Sequence, residues 1–160
     1  MADPYLQLTL GSLTVLYQGY IFEDGQLPRT VDEDLVGTIE YSLNGGVYVT
    51  GAAVHPKHLW TFSIASLLDQ GLSDQTRELW SEYNRLRLAG SDPRMTLEDT
   101  SQYFFEASRT RALATNASEI NTTTGVKYYA KFYVYFERPP VFERGEGFTI
   151  QLKEGAIFPS

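Results

Sequence analysis

Two histidines are the residues in this chain best suited to bind a transition metal. His55 and His58 are the only histidines, and Pro56 between them is incompatible with a helix there. In an extended segment, side chains three positions apart point to opposite faces. A zinc site needs three or four ligands that converge on one point, and the sequence offers no obvious third ligand. We therefore predict no metal site and no bound cofactor.

The motifs of nucleophilic catalysis and phosphate binding are also missing from the sequence. It contains no G-x-S-x-G elbow and no cysteine. The one short glycine motif, Gly145-Glu146-Gly147, places an acid where a phosphate would need bare backbone amides. We predict no catalytic residues, and the protein is not expected to be an enzyme.

Acidic side chains that could form a catalytic pair are concentrated in one polar segment. Residues Glu23 to Asp34 include Gly25 and Pro28 and show no apolar period, which predicts a long loop. Acids in such loops are usually only solvated, so glycoside hydrolysis is the less favoured interpretation. Long loops in compact domains are often functional, which makes five acids candidates for subunit contact: Glu23, Asp24, Asp32, Glu33 and Asp34.

Length and composition predict one folded domain over residues 1–160. The hydrophobic share is 42% and the charged share 21%, as in ordinary globular proteins. The formal net charge of -7 would repel a phosphate backbone, so specific nucleic-acid binding is not expected. The first residues lack a basic start with an apolar core, and no run approaches the roughly 20 apolar residues of a membrane span. We expect synthesis in the cytoplasm and no membrane contact.

Alternating apolar residues predict strands on both sides of a single helix. Two hairpins are expected, one around Gly11-Ser12 and one around Asn44-Gly45-Gly46. A strand follows at His58 to Ile64, with Trp60, Phe62 and Ile64 on one face and His58 among its polar residues.

The helix is predicted from Ser73 to Ala89. Ser73 is the expected N-cap, and an apolar stripe follows at Leu79, Trp80, Tyr83 and Leu86. Gly90 stands where a left-handed residue ends many helices.

The chain after the helix is expected to return to strands. Arg94 to Glu98 and Gln102 to Glu106 are predicted as short strands, and Ser108 to Ala114 as either a strand or a helical turn. Polar residues from Thr115 to Thr124 predict a loop. Long alternation then predicts a strand over Val126 to Phe136, and a last strand over Phe148 to Lys153.

A row of tyrosines lies on one face of the Val126 to Phe136 strand. Tyr129, Tyr133 and Tyr135 alternate with the apolar series and would face away from it. Three exposed tyrosines are unusual on a monomer. The row therefore packs beneath the helix, contacts a partner subunit, or stacks on sugar rings.

Together these elements predict an α+β fold dominated by β structure. The expected architecture is two packed antiparallel sheets, as a sandwich or split barrel, with one flanking amphipathic helix.

The order of elements resembles the tail tube and distal tail, or baseplate, proteins of long-tailed bacteriophages. The resemblance is carried by the strand His58-Leu59-Trp60-Thr61-Phe62, the helix after Leu72-Ser73, and the segment Arg94 to Asp99. It implies two roughly orthogonal sheets with a flanking helix, and no catalytic residues. Glu23 to Asp34 sits where such proteins carry a loop that reaches the next ring.

This resemblance implies a structural virion protein that forms a homo-oligomeric ring, with a hexamer favoured, beside other tail or baseplate proteins. An acidic lumen would let DNA pass without binding. A tail terminator subunit would show the same order and composition of elements. The alternative function is a carbohydrate-binding β-sandwich module that uses the tyrosine row with Trp60 and Trp80.

Overall fold

The computed structural model describes residues 4–18, 29–32, 37–41, 47–51, 57–64, 70–142, 147–156 and 158. Among these residues, strands dominate and one helix is present, as predicted. The elements are β1 Tyr5–Leu10, β2 Leu13–Gln18, β3 Arg29–Asp32, β4 Gly37–Tyr41, β5 Val47–Gly51, β6 Lys57–Ile64, α1 Gln70–Leu88, β7 Met95–Glu106, β8 Ile120–Asn121, β9 Val126–Phe136, β10 Val141–Phe142 and β11 Phe148–Glu154. Within the described ranges, no helix combines the length and apolar character that crossing a bilayer requires.

Nine of these strands form one antiparallel sheet. Its main path is β2-β1-β7-β9-β11-β6-β3, while β8 pairs with β9 and β10 pairs with β11. The predicted hairpin at Gly11-Ser12 is confirmed, because β1 and β2 pair and Gly11 has a φ of 59°. β4 and β5 pair with each other in a separate two-stranded sheet, which confirms the second hairpin. Its Asn44-Gly45-Gly46 turn lies outside the described residues.

The large sheet curls so that its two ends meet. Four strands separate β2 from β6 in the hydrogen-bonded order, yet the ring centroids of Tyr17 and Phe62 lie 5.1 Å apart. Tyr17 also lies 6.2 Å from Phe148 of β11. Inward side chains from both ends therefore share one hydrophobic core. The described strands form a single curled sheet, and the predicted pair of packed sheets is not confirmed.

The helix begins at Gln70, three residues before its predicted N-cap. Ser73 is fully buried inside the helix, and the Thr76 hydroxyl donates a 2.9 Å hydrogen bond to the Leu72 carbonyl. The Ser73 prediction is therefore wrong. A serine next to an apolar stripe looks the same in the sequence whether it caps the helix or lies within its first turns. In this helix Ser73 lies within the helix and is buried.

The predicted end of the helix is confirmed at Gly90. This glycine has a φ of 76°, and its amide donates to the Arg87 carbonyl at 3.2 Å. The Ser91 amide donates to the Leu86 carbonyl at 2.9 Å, which completes a Schellman motif.

Pairing creates strands where local patterns predicted loops. Arg29–Asp32 lies within the predicted loop Glu23 to Asp34 but pairs with β6, and Ile120–Asn121 lies within the predicted loop Thr115 to Thr124 but pairs with β9. The two short strands predicted between Arg94 and Glu106 are one strand with a register shift between Asp99 and Phe104. In each case a neighbouring strand provides backbone hydrogen bonds that cannot be predicted from the local sequence.

Candidate functional site

The interior of the curled sheet contains a cluster of charged side chains that we call the buried polar core. Arg111 binds Glu154 through two bonds, Nε to Oε2 at 3.0 Å and Nη2 to Oε1 at 3.1 Å. His58 Nδ1 lies 3.0 Å from Glu154 Oε1. The Glu154 carboxylate therefore receives donors from two other parts of the chain.

Neighbouring strands bring His58 and Glu154 together. β11 pairs with β6 up to Lys153 opposite Leu59, so His58 and Glu154 occupy the next adjacent positions. Both side chains are buried. His58 packs against Phe132, with ring centroids 5.4 Å apart. His58 therefore lies on the inward face of β6 with Trp60. The prediction that placed it among the polar residues of that strand was wrong, because its side chain is buried.

Arg111 enters the core from the segment that the sequence left open between strand and helical turn. This segment is extended, since Leu113 bridges to Ala130 and the Lys131 amide donates to the Ala112 carbonyl at 3.0 Å. The Arg111 amide donates to the Tyr128 hydroxyl at 3.2 Å. The edge of β9 thus holds the segment in place and directs the guanidinium inward.

A carboxylate at the end of β7 anchors the same segment. Glu106 accepts hydrogen bonds from the Thr110 amide at 2.6 Å and from the Thr110 hydroxyl at 2.8 Å. Tyr128 also donates its hydroxyl to Glu106. Burial, aided by this carboxylate, raises the pKa of Tyr128 to about 12. Tyr128 therefore stays protonated and serves as a donor.

The ionisation of Glu154 is controlled by opposing effects. Burial by itself raises the pKa of this carboxyl, because a low-dielectric interior disfavours charge. The hydrogen bonds from His58 and Arg111, together with their charges, outweigh burial and lower the pKa below its ordinary value. Glu154 is therefore an anion at neutral pH, and the guanidinium beside it is its counterion.

A second polar contact joins β6 to β7. Trp60 Nε1 donates to Asp99 Oδ2 at 3.1 Å, and both residues are fully buried. Asp99 Oδ1 accepts from the Ser101 amide at 2.8 Å and from its hydroxyl at 2.5 Å. These bonds satisfy the carboxylate at the point where β7 shifts register.

The buried polar core is better suited to holding the sheet together than to catalysis. His58, Arg111 and Glu154 are each at most 5% exposed and bind one another, whereas a catalytic group must contact its substrate. In the described part of the chain, no group of three or more His, Asp or Glu side chains lies close enough to bind a metal ion.

The opposite side of β7, β8 and β9 carries the outer aromatic face. Tyr129 stacks on Tyr103 with ring centroids 4.3 Å apart and an interplanar angle of 10°. Phe105 is 64% exposed, and Ile120 is 41% exposed. We define the face by the side chains Tyr103, Phe105, Ile120, Lys127, Tyr129, Lys131 and Tyr133.

Cations rest on several of these rings. Lys127 Nζ lies 4.7 Å from the centroid of Tyr103, and Arg94 Cζ lies 3.8 Å from that of Tyr133. Lys131 lies 5.9 Å from the Phe158 ring and 3.9 Å from Glu98. These cation–π contacts hold the long side chains over the rings. Among the described residues, Lys127 and Arg94 have no carboxylate partner.

The predicted tyrosine row is part of this face, not of the helix packing. Trp80 and Tyr83 of α1 contact Phe136, which belongs to the buried series of β9, while Tyr129 and Tyr133 lie on the other side of the strand. Tyr135 is partly buried and also packs against the hydrophobic core. Tyr135 lies at the end of the row and bonds Asp92 through its hydroxyl at 3.0 Å. The hydrogen bond between Tyr103 and Tyr129, with some burial, raises the pKa of Tyr129 to about 12.

The acidic candidates fall largely outside the described residues. Glu23, Asp24, Glu33 and Asp34 lie there, and Asp32 is described only as the last backbone position of β3. Of the buried polar core, only His58 was singled out from the sequence, and Arg111 and Glu154 were missed. One signal was available, because Glu154 continues the inward alternation of Phe148, Ile150 and Leu152.

Comparison with known proteins adds no relative. A scan against protein-family models, a search of curated proteins and a search of solved structures each find no match. The residues and geometry described above are therefore the grounds for a function.

Proposed function

We propose that this chain is a structural subunit of a bacteriophage tail that assembles into a homo-oligomeric ring, in the tail tube, the distal tail or baseplate, or the tail terminator. The outer aromatic face is the observation that carries the proposal. Phe105 is 64% exposed and Ile120 is 41% exposed beside the half-buried tyrosines, and apolar side chains exposed side by side are typical of surfaces that bind a partner. Aromatic residues and arginine are enriched where subunits meet.

The fold agrees with this role. The described strands and the single helix share the β-dominated antiparallel composition of the architecture that the resemblance to tail tube and distal tail proteins implies, which has two roughly orthogonal sheets and a flanking helix. In the full subunit, we propose, the sheet is divided into two packed layers, with the β4–β5 hairpin projecting from them. The protein then acts through its surfaces and needs neither a catalytic residue nor a cofactor.

The negative net charge of the chain is compatible with a position around the DNA channel of a tail. A ring whose lumen carries the acidic excess of a chain with net charge -7 would let DNA pass without retaining it. The acidic segment from Glu23 to Asp34 remains our candidate for contact with a neighbouring ring or tail protein.

Sugar binding is the less favoured use of the tyrosine row. A sugar platform needs the open face of an aromatic ring. Tyr129 already stacks on Tyr103, and Tyr133 is in contact with both Phe158, at 4.3 Å between centroids, and Arg94. Side chains of the same chain therefore occupy ring faces that a saccharide would need.

Electron microscopy with mass spectrometry tests the proposal. We expect the chain among the proteins of purified tailed particles, and gold-labelled antibodies against it to bind along or at one end of the tail. Absence from such particles, together with binding on a glycan array, would overturn the proposal and favour the carbohydrate module.

A further inference from the structure

We propose that the outer aromatic face of one copy binds the acidic surface of helix α1 on a second copy. The inference rests on the proposed function, which requires repeated contact between identical chains, and it names the two surfaces involved. The helix surface is defined by Asp74 and Glu78, with Ser81 on the same side.

The outer aromatic face needs a partner of opposite charge. Lys127 and Arg94 lie on aromatic rings and have no ion pair in the described part of the chain. Three acids that adjoin this face have partners of their own. Asp92, beside Arg94, accepts from the Tyr135 hydroxyl at 3.0 Å, and Glu119, beside Ile120, binds Arg109 at 2.5 Å. Glu98 accepts from the Thr115 amide at 2.7 Å. The described part of the face therefore presents two cations without an ion pair, Lys127 and Arg94, beside the exposed side chains of Phe105 and Ile120.

Two copies of this face do not fit each other. A two-fold contact would place the same patch on both sides of the interface and gather the Lys127 and Lys131 side chains of both copies in one contact. Like charges that meet across an interface oppose association. A second copy must therefore offer a different surface, which makes the contact heterologous.

The helix supplies such a surface. Asp74 and Glu78 are exposed one turn apart and have no ion pair among the described residues. Arg85 lies on the same side of the helix but is paired with Glu82 at 2.5 Å, and the neighbouring Arg77 lies over the Phe142 ring at 4.1 Å. The buried stripe of the helix, including Leu79 and Tyr83, packs on the interior of the sheet. The acidic surface and the outer aromatic face thus lie on different sides of one subunit.

A contact between two different surfaces repeats from copy to copy. Such a head-to-tail arrangement closes into a ring when the rotation per subunit divides a full turn, and otherwise extends as a filament. The position of the two surfaces on separate sides of the subunit satisfies the first requirement of ring assembly.

Charge reversal of the full-length chain tests this pairing by sedimentation velocity. Lys127→Glu with Lys131→Glu should weaken self-association about tenfold or more, and Asp74→Lys with Glu78→Lys should do the same, because each places like charges together. Combining all four changes should restore association. Arg87→Glu is the matched control, since Arg87 is exposed on the other side of the helix from Glu78 and should leave association unchanged.

Cross-linking separates this contact from a two-fold one. The chain has no cysteine, so Ser81→Cys and Ile120→Cys variants can be mixed and treated with a short bismaleimide. We expect the mixed 81–120 product. Dominant 120–120 links, a chain that stays monomeric at every concentration, or no restoration in the fourfold variant would overturn the inference. Tail particles that contain the chain but assemble regardless of these changes would contradict the interface and leave the proposed function standing.

Discussion

The buried polar core and the outer aromatic face lie on the two sides of one sheet, and both contain cationic side chains next to aromatic rings. Inside, Arg111 forms a bidentate pair with Glu154, and His58 binds the same carboxylate. Outside, Lys127 lies over a tyrosine ring and has no carboxylate partner among the described residues. Charges removed from water must be paired, while charges at the surface can stay available. The first arrangement should therefore control the stability of the subunit and the second its association.

The largest effect is expected from breaking the buried pair. Arg111→Met should lower the free energy of unfolding by about 3–5 kcal/mol, because it leaves Glu154 buried without its main counterion. Urea denaturation measures the loss. Arg109→Met is the control two positions away, where the partly exposed pair with Glu119 should contribute about 1 kcal/mol or less. Equal losses for the two variants would contradict the distinction between core and surface.

A smaller loss is expected at the tryptophan that binds Asp99. Trp60→Phe removes the donor to a buried carboxylate and should lower stability by about 1.5–3 kcal/mol, with the two bonds from Ser101 still in place. Trp80→Phe is the matched control on the helix, where the indole is half-buried and stacks on Tyr83. Thermal unfolding that ranks Trp80 as the more costly site would refute the role given to Asp99.

Acid should weaken the core in a defined direction. The pKa of Glu154 is lower in the folded chain than its ordinary value, so the carboxylate contributes stability above that ordinary value. This contribution is lost as the pH falls from the ordinary glutamate pKa through the lower pKa of the folded state. Urea titrations between neutral and acidic pH should show a smaller pH-dependent loss for Glu154→Gln than for the unmodified chain. An equal loss in both would place the acid-sensitive group elsewhere.

The smallest effect on stability is expected on the outer aromatic face. Phe105→Ser should change the free energy of unfolding by no more than about 0.5 kcal/mol, since the ring is 64% exposed in one subunit. The same change should clearly reduce self-association in sedimentation velocity. A large loss of stability without a change in association would reverse the roles assigned to the two faces.

The elements that sequence predicted well are those defined by local chemistry. The strand Val126–Phe136 and its buried side follow from period-two alternation, and the end of the helix follows from Gly90. The start of the helix was predicted wrongly, since Ser73 is fully buried within the helix instead of capping it. Alternation predicts which face is buried and says little about which strands meet.

The buried polar core could not be predicted for the same reason. Arg111 and Glu154 are 43 positions apart, and both are brought to β9 by pairing with that strand. Trp60 and Asp99 are 39 positions apart and meet across the interior of the curled sheet. The tyrosine row could be predicted from its period-two pattern. The sequence did not reveal that the row lies on the side of the sheet away from the helix. That choice depends on which side of β9 receives Trp80 and Tyr83.

An electron-microscopic reconstruction of the assembled full-length chain is the most direct test of the claim that the outer aromatic face joins subunits. We predict a closed ring in which Phe105, Lys127 and Tyr129 are buried against the neighbouring copy. A ring that leaves these three side chains in solvent, with its contacts made elsewhere, would contradict the claim.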